Sequence, residues 1–114
     1  MSIGADLIRG HTDAIILALL EKKDSYGYEI NKTIAETSGG RYELKEATLY
    51  TAFKRLEDAG LISSYWGDQR SGARRKYYTM TPRGRETLQQ MQQEWEEARE
   101  MIDRLLERSA SDHA

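Results

Sequence analysis

Catalysis on a substrate calls for nucleophiles, acid–base pairs or metal ligands, and this 114-residue chain holds few of them. It has no cysteine, which removes disulfides, thiolate metal sites and a cysteine nucleophile. Its two histidines, His11 and His113, stand at opposite ends of the chain. Adjacent carboxylates such as Glu57-Asp58 and Glu96-Glu97 lie in helical stretches, where neighbouring side chains point in different directions and are normally solvated. No metal-ligand spacing, nucleophile elbow or phosphate-cradling glycine loop occurs, and Gly39-Gly40 has no strand before it. The chain is therefore expected not to be an enzyme, and to carry neither cofactor nor metal.

Cationic and aromatic side chains are concentrated instead. Residues 69–85 hold Arg70, Arg74, Arg75, Lys76, Arg83 and Arg85 without one aspartate or glutamate. Residues 86–108 reverse the sign, with seven acidic side chains against Arg99, Arg104 and Arg108. The net charge of −2 thus averages a basic middle and an acidic end. A charge run is usually only a solvated face, but one with no carboxylate to neutralise it suits a polyanion. The second concentration is a single indole, Trp95, in the polar segment MQQEWEEAREM.

The elements that position these groups follow from apolar spacing. Leu7, Ile8, Ile15, Ile16, Leu17, Leu19 and Leu20 predict a first helix over residues 6–22, buried on most of its surface. A second helix is expected from Asp24-Ser25, either of which can cap it, through Tyr26, Ile30 and Ile34 to Ser38-Gly39-Gly40. In KEATLYTAFKRLEDAG, Leu49, Ala52, Phe53 and Leu56 fall at i, i+3, i+4 and i+7, one apolar face of a third helix that stops at Gly60. LISSYW and ARRKYYTM, aromatic and β-branched, flank the turn-forming GDQRSG and predict a β-hairpin. Thr81-Pro82 then opens a last helix, with threonine as cap and proline in the first turn.

In that last helix Leu88, Met91, Trp95, Ala98, Ile102 and Leu105 are separated by 3, 4, 3, 4 and 3 residues. Two apolar positions per heptad make the narrow seam of a helix that packs lengthwise on another helix. Helix pairing in a homodimer is the simplest reading, and a chain this short benefits from a second copy. Trp95 sits on that seam.

Three helices, a basic hairpin and a long helix predict a mainly α fold with a small β-hairpin, a winged helix-turn-helix with an appended helix. Such a fold offers one helix to the major groove and its wing to the backbone or minor groove. The solvent face of the third helix carries Lys45, Thr48, Thr51, Lys54 and Arg55, which can donate to phosphates, while the threonines can also reach base edges. The hairpin adds Arg70, Arg74 and Lys76, with Arg75 turned the other way by alternation.

SYGYEI, EATLYTAFKRLEDAGLISSYWGD and GARRKYYTMTPRG together resemble the PadR family of winged-helix transcriptional repressors, over roughly residues 7–106. The likeness is to the short subfamily, which ends in one long dimerisation helix, and within it to multidrug-response members in which Tyr-Thr also follows Thr-Leu. The resemblance implies a homodimer joined through its first and last helices, a palindromic double-stranded DNA operator, and repression relieved by a small molecule. Tyr26, within SYGYEI, joins the residues expected on DNA. In the multidrug-response members a tryptophan from each subunit sandwiches a planar aromatic drug in a flat apolar pore, and Trp95 aligns with it without a gap. The implied pore is lined by Leu7, Ala14 and Ala18 against Leu88, Met91, Gln92, Trp95, Arg99 and Ile102. A cation at Arg99 would favour neutral or anionic ligands unless Glu100 or Asp103 neutralises it.

Two departures from the family pattern stand out. Thr51 replaces a frequent proline, freeing an amide and adding a hydroxyl on the DNA side. Lys45 occupies the cap position of the third helix, where a cation opposes the helix dipole and a DNA phosphate would relieve it. Trp66, beside Tyr65, is expected to pack beneath the wing. The division is residues 1–80 for the DNA-binding domain, 81–108 for the dimerisation helix and 109–114 for a frayed tail. With no signal-like N-terminus and no apolar run of spanning length, a cytoplasmic location away from membranes is expected. Two rivals remain: a dimeric winged-helix module that docks on an acidic protein, and a DNA-binding repressor whose Trp95 is only dimer core.

Overall fold

The computed structural model describes residues 5–67 and 74–107. Arg70 and the tail 109–114 lie outside the described residues. The order is α1 (Ala5–Arg9), α2 (Thr12–Lys22), β1 (Ser25–Tyr26), α3 (Gly27–Thr37), α4 (Glu46–Asp58), β2 (Ile62–Trp66), β3 (Lys76–Met80) and α5 (Pro82–Leu105). The strands form one antiparallel sheet in the order β1-β3-β2, with Ser25 opposite Tyr78 and Tyr65 opposite Tyr77. This is a helical fold with a small three-stranded sheet.

Four expectations are corrected. The first helix is two helices, because the chain turns at Gly10-His11: the Thr12 hydroxyl donates to the Arg9 carbonyl at 3.1 Å and fastens the joint. The second helix starts at Gly27 rather than at Asp24-Ser25. Neither of those side chains caps it, since the Ser25 hydroxyl donates to the Glu29 carboxylate at 2.5 Å and Asp24 accepts from the Tyr65 hydroxyl at 2.7 Å. The backbone of Ser25-Tyr26 pairs instead with β3, a third strand that the hairpin reading did not contain. Trp66 does not pack beneath the wing; it is 55% exposed, with the Arg74 guanidinium 4.7 Å above its ring.

The remaining elements follow their local signals. Gly39 and Gly40 both take left-handed backbone (φ 67° and 78°) after α3. At the end of α4, Gly60 has φ 77°, the Leu61 amide donates to the Leu56 carbonyl, and the Gly60 amide donates to that of Glu57. Those two bonds close a Schellman cap that β-carbon sterics would oppose in any other residue. Thr81 accepts from the Gly84 amide at 3.0 Å and donates its hydroxyl hydrogen to the Gly60 carbonyl at 2.8 Å, so one side chain caps α5 and ties it to the turn after α4.

The core collects Ile16, Leu17 and Leu20 of α2, Ile30 and Ile34 of α3, the apolar face of α4, Tyr78 of β3 and Leu88 of α5. Phe53 links its layers, stacked on Tyr78 at 3.9 Å and edge-on to Tyr50 at 5.5 Å. Asn31 clamps the loop before α4, donating to the Leu44 carbonyl at 2.6 Å and accepting its amide at 2.9 Å. These contacts set where the outer face of α4 stands.

Candidate nucleic-acid interface

α4 turns Leu49, Ala52, Phe53 and Leu56 into the core and leaves Lys45, Thr48, Thr51, Lys54 and Arg55 exposed. Lys45 is its N-cap, in extended conformation (φ −65°, ψ 146°) and without a side-chain bond to the first turn. The exposed cations are not equivalent. Arg55 is held by Asp13 of α2 through two hydrogen bonds, Nη2 at 2.5 Å and Nε at 3.3 Å, and this partner holds its guanidinium above the usual arginine range. Lys54 pairs with Asp58 one turn on, at 3.4 Å. Beside α4 run two shallow hollows of about 310 and 300 Å³, lined by Lys45, Thr48, Thr51 and Arg55, and from the other side by Arg9 and Thr12.

The root of the wing is organised by aromatic rings. Tyr65 stacks on Tyr77 at 5.7 Å, Tyr77 meets Tyr26 edge-on at 5.3 Å, and the Arg75 guanidinium lies 4.8 Å over Tyr26. Alternation carries the neighbouring residues to other rings: Arg74 lies over Trp66 and the Lys76 ammonium stands 5.8 Å from Tyr78. Cation–π contacts of this kind hold a side chain in place and keep its charge. The Tyr65 hydroxyl is pushed above its ordinary pKa, chiefly because it donates to Asp24.

The long helix divides along its seam. Leu88 is 1% exposed and belongs to the chain's own core, so its side chain is sealed from the surface strip. Met91 and Ala98 are half-buried; Trp95 is 46%, Ile102 50% and Leu105 74% exposed. Leu7 is exposed, Ala14 and Ala18 are half-buried on α2, and Gln92 lies in solvent. Arg99 is tied to Glu96 at 2.5 Å and lies 3.9 Å from Asp103, which raises its pKa and cancels its charge locally. Asp103 is one of the two carboxylates that the sequence offered to neutralise Arg99; Glu96, which holds it more closely, is an addition.

Sequence reasoning missed Arg9 and Thr12 beside α4, Asp13 on Arg55, and His11, whose ring lies 4.9 Å from that of Trp95 at 77°. Only the Gly10 turn brings these residues into place. Glycine in a helical pattern is the signal that would have found it.

α2, α3 and α4, the last exposed along one polar face, a sheet whose β2-β3 hairpin forms the wing, and the long α5 define a winged helix-turn-helix protein. Residues 16–90 match the transcriptional regulator PadR-like family, and the chain belongs to it. It is 47% identical to a transcriptional regulator from Clostridium thermocellum of known structure, with a TM-score of 0.83 over 90% of this chain and 96% of that one. A PadR family regulator from Clostridium difficile R20291 is 42% identical, with a TM-score of 0.76 over 84% and 98% of the two chains. The negative transcriptional regulator PadR of Bacillus subtilis is 33% identical over 73 residues, 64% of this chain and 40% of that protein. Among the described residues no helix is long and apolar enough to cross a membrane, and no group of three or more acidic or histidine side chains is placed to hold a metal ion.

Proposed function

We propose that the chain is a homodimeric repressor that binds a palindromic DNA operator through α4 and the wing and is released by a planar aromatic molecule held at Trp95. The observation that carries the DNA reading is α4 itself: one face is sealed in the core, and the other offers Lys45, Thr48 and Thr51 beside a hollow rimmed by Arg9 and Arg55. Hydroxyls and cations along one exposed helix suit phosphates first and base edges second. Tyr26, Arg70, Arg74, Arg75 and Lys76 supply the wing's share, with Tyr26 acting through the ring that supports Arg75. The named function of the Bacillus subtilis relative supports repression as the outcome.

The seam supports a second copy. Exposed Trp95, Ile102 and Leu105 continue a stripe whose first member, Leu88, is already core. Residues 1–80 then form the DNA-binding domain and 81–108 the dimerisation helix, with α1 and α2 adding to the interface.

Affinity for a palindrome in the gene's own promoter should fall steeply with salt, by a slope of about 0.9 per phosphate neutralised and several phosphates per dimer. A flat response, or no binding, would favour a module that docks on an acidic protein. The ligand reading is tested by indole fluorescence: planar dyes should quench the wild type and spare the emission that remains in Trp95→Ala, which comes from Trp66. Equal quenching of both would reduce Trp95 to dimer core.

A further inference from the structure

His11 has no place in the DNA interface or in the pore lining implied by the family resemblance, yet its position is closely determined. It stands at the joint of α1 and α2, donating its amide to the Ile8 carbonyl at 2.7 Å and accepting the Ile15 amide at 2.9 Å. Its imidazole is half-buried against Trp95, edge to face, with ring centroids 4.9 Å apart. Ala14 and Ala18 follow on the same side of α2, three and seven residues on, and both are half-buried and small. On α5 the half-buried Met91 stands one turn before Trp95 on the same seam. The half-exposed indole thus has one aromatic neighbour among the described residues, a ring with two nitrogens.

An imidazole brings hydrogen-bonding capacity that alanine, methionine and isoleucine lack; its neutral form has one donor and one acceptor. Of the polar groups of the implied lining one turn from Trp95, Arg99 is committed to Glu96 and Asp103, and Gln92 lies in solvent. Among the described residues His11 is the polar side chain whose ring is in contact with the indole, so it stands at the rim of a flat ring laid on Trp95.

We infer that His11 is a ligand-contacting residue of the Trp95 site and sets its chemical preference, selecting planar aromatics that carry a hydroxyl or carbonyl at the rim over bare hydrocarbons. This rests on the reading that Trp95 binds a planar aromatic. Polar discrimination of this kind comes from a partner group that the plain hydrocarbon leaves unpaired.

The test uses 2-naphthol and naphthalene, the same two rings with and without a hydroxyl. Binding is followed by the indole N–H NMR signal of Trp95 in a Trp66→Phe background of the full chain. 2-Naphthol should bind about 5- to 10-fold tighter than naphthalene, the advantage of one hydrogen bond. In His11→Phe that advantage should vanish while naphthalene still binds, and His11→Gln, which keeps a donor and an acceptor, should restore it. A His11→Phe protein that keeps the naphthol preference, or a His11→Gln protein that loses it as fully as His11→Phe, would overturn the assignment. If neither probe shifts Trp95 in the His11 protein, the aromatic-ligand reading itself fails and takes this one with it. That outcome is told apart because it precedes any change at His11.

Discussion

The two ends of α5 share one apolar spacing and have opposite fates. At its start Leu88 is sealed among the core residues, Thr81 caps the first turn, and Arg85 reaches Glu21 of α2 at 3.1 Å. Beyond Met91 the same stripe continues through Trp95, Ile102 and Leu105, and the side chains stand in solvent. Periodicity reports that a face will be covered; only the length of the neighbouring element decides what covers it. α2 runs antiparallel to α5 and begins at Thr12, beside Trp95, and α1 before it is one short turn, so among the described residues Ile102 and Leu105 of the stripe stay exposed. The stability of the winged-helix half is therefore internal, and that of the far half is expected to come from a second copy.

The sharpest test of this contrast removes a side chain from each half. Phe53→Ala deletes the ring that joins α4 to β3 and should cost about 3–5 kcal/mol whatever the protein concentration, read as a fall in melting temperature by circular dichroism. Ile102→Asp should leave the winged-helix half folded and weaken self-association by roughly 2 kcal/mol, measured by sedimentation. Its melting temperature should also lose the concentration dependence expected of a dimer. If Ile102→Asp behaves like the wild type in both measurements, the outer seam is not the dimer face and the contrast collapses.

Smaller effects refine the DNA-facing half. Lys45→Ser gives α4 a side chain able to accept from its first turn and removes a cation from the positive end of the helix. The free protein should gain about 1 kcal/mol, while operator binding at moderate salt weakens. Unchanged operator affinity would show that Lys45 stands away from phosphate. The smallest effect concerns Glu29, whose carboxyl is held below its ordinary pKa chiefly by the Ser25 hydroxyl and further by Lys23. A lowered folded pKa stabilises the protein above the usual carboxylate range, and the benefit is lost as pH falls through the lowered value. Ser25→Ala should then melt below the wild type near neutrality, and the two curves should converge as the solution is acidified. A constant gap across that range would assign the loss to packing.

What could be read from the sequence follows the range of the forces involved. Leu49, Ala52, Phe53 and Leu56, the Gly60 stop and the Thr81-Pro82 start are local patterns, and each appears in the structure where its spacing placed it. β1 was not legible, because two residues have no periodicity and are a strand only by pairing with β3 far along the chain. The turn at Gly10-His11 was hidden under a run of apolar residues dense enough to read as one helix. The exposed face of α4 was legible as a set of polar residues, but Asp13 had no visible connection with Arg55, 42 positions away. Trp66 shows the limit of composition: an indole in a strand suggests burial, and this one is covered by Arg74 from the solvent side.

Gly84 carries a consequence for how force travels through the molecule. A β-carbon there would strike the Leu61 carbonyl and the Met80 side chain, and Thr81 already bonds backbone on the same turn. The base of α5 is thus set against the end of α4 with no slack for a hinge. A helix of 24 residues is about 36 Å long, comparable to one turn of DNA. A tilt of about 10° between two such rods displaces a far end by roughly 6 Å, by length alone. In the proposed dimer α5 works as the arm of a caliper: a small wedge between the arms resets the distance between the jaws, and the operator is the object being gauged.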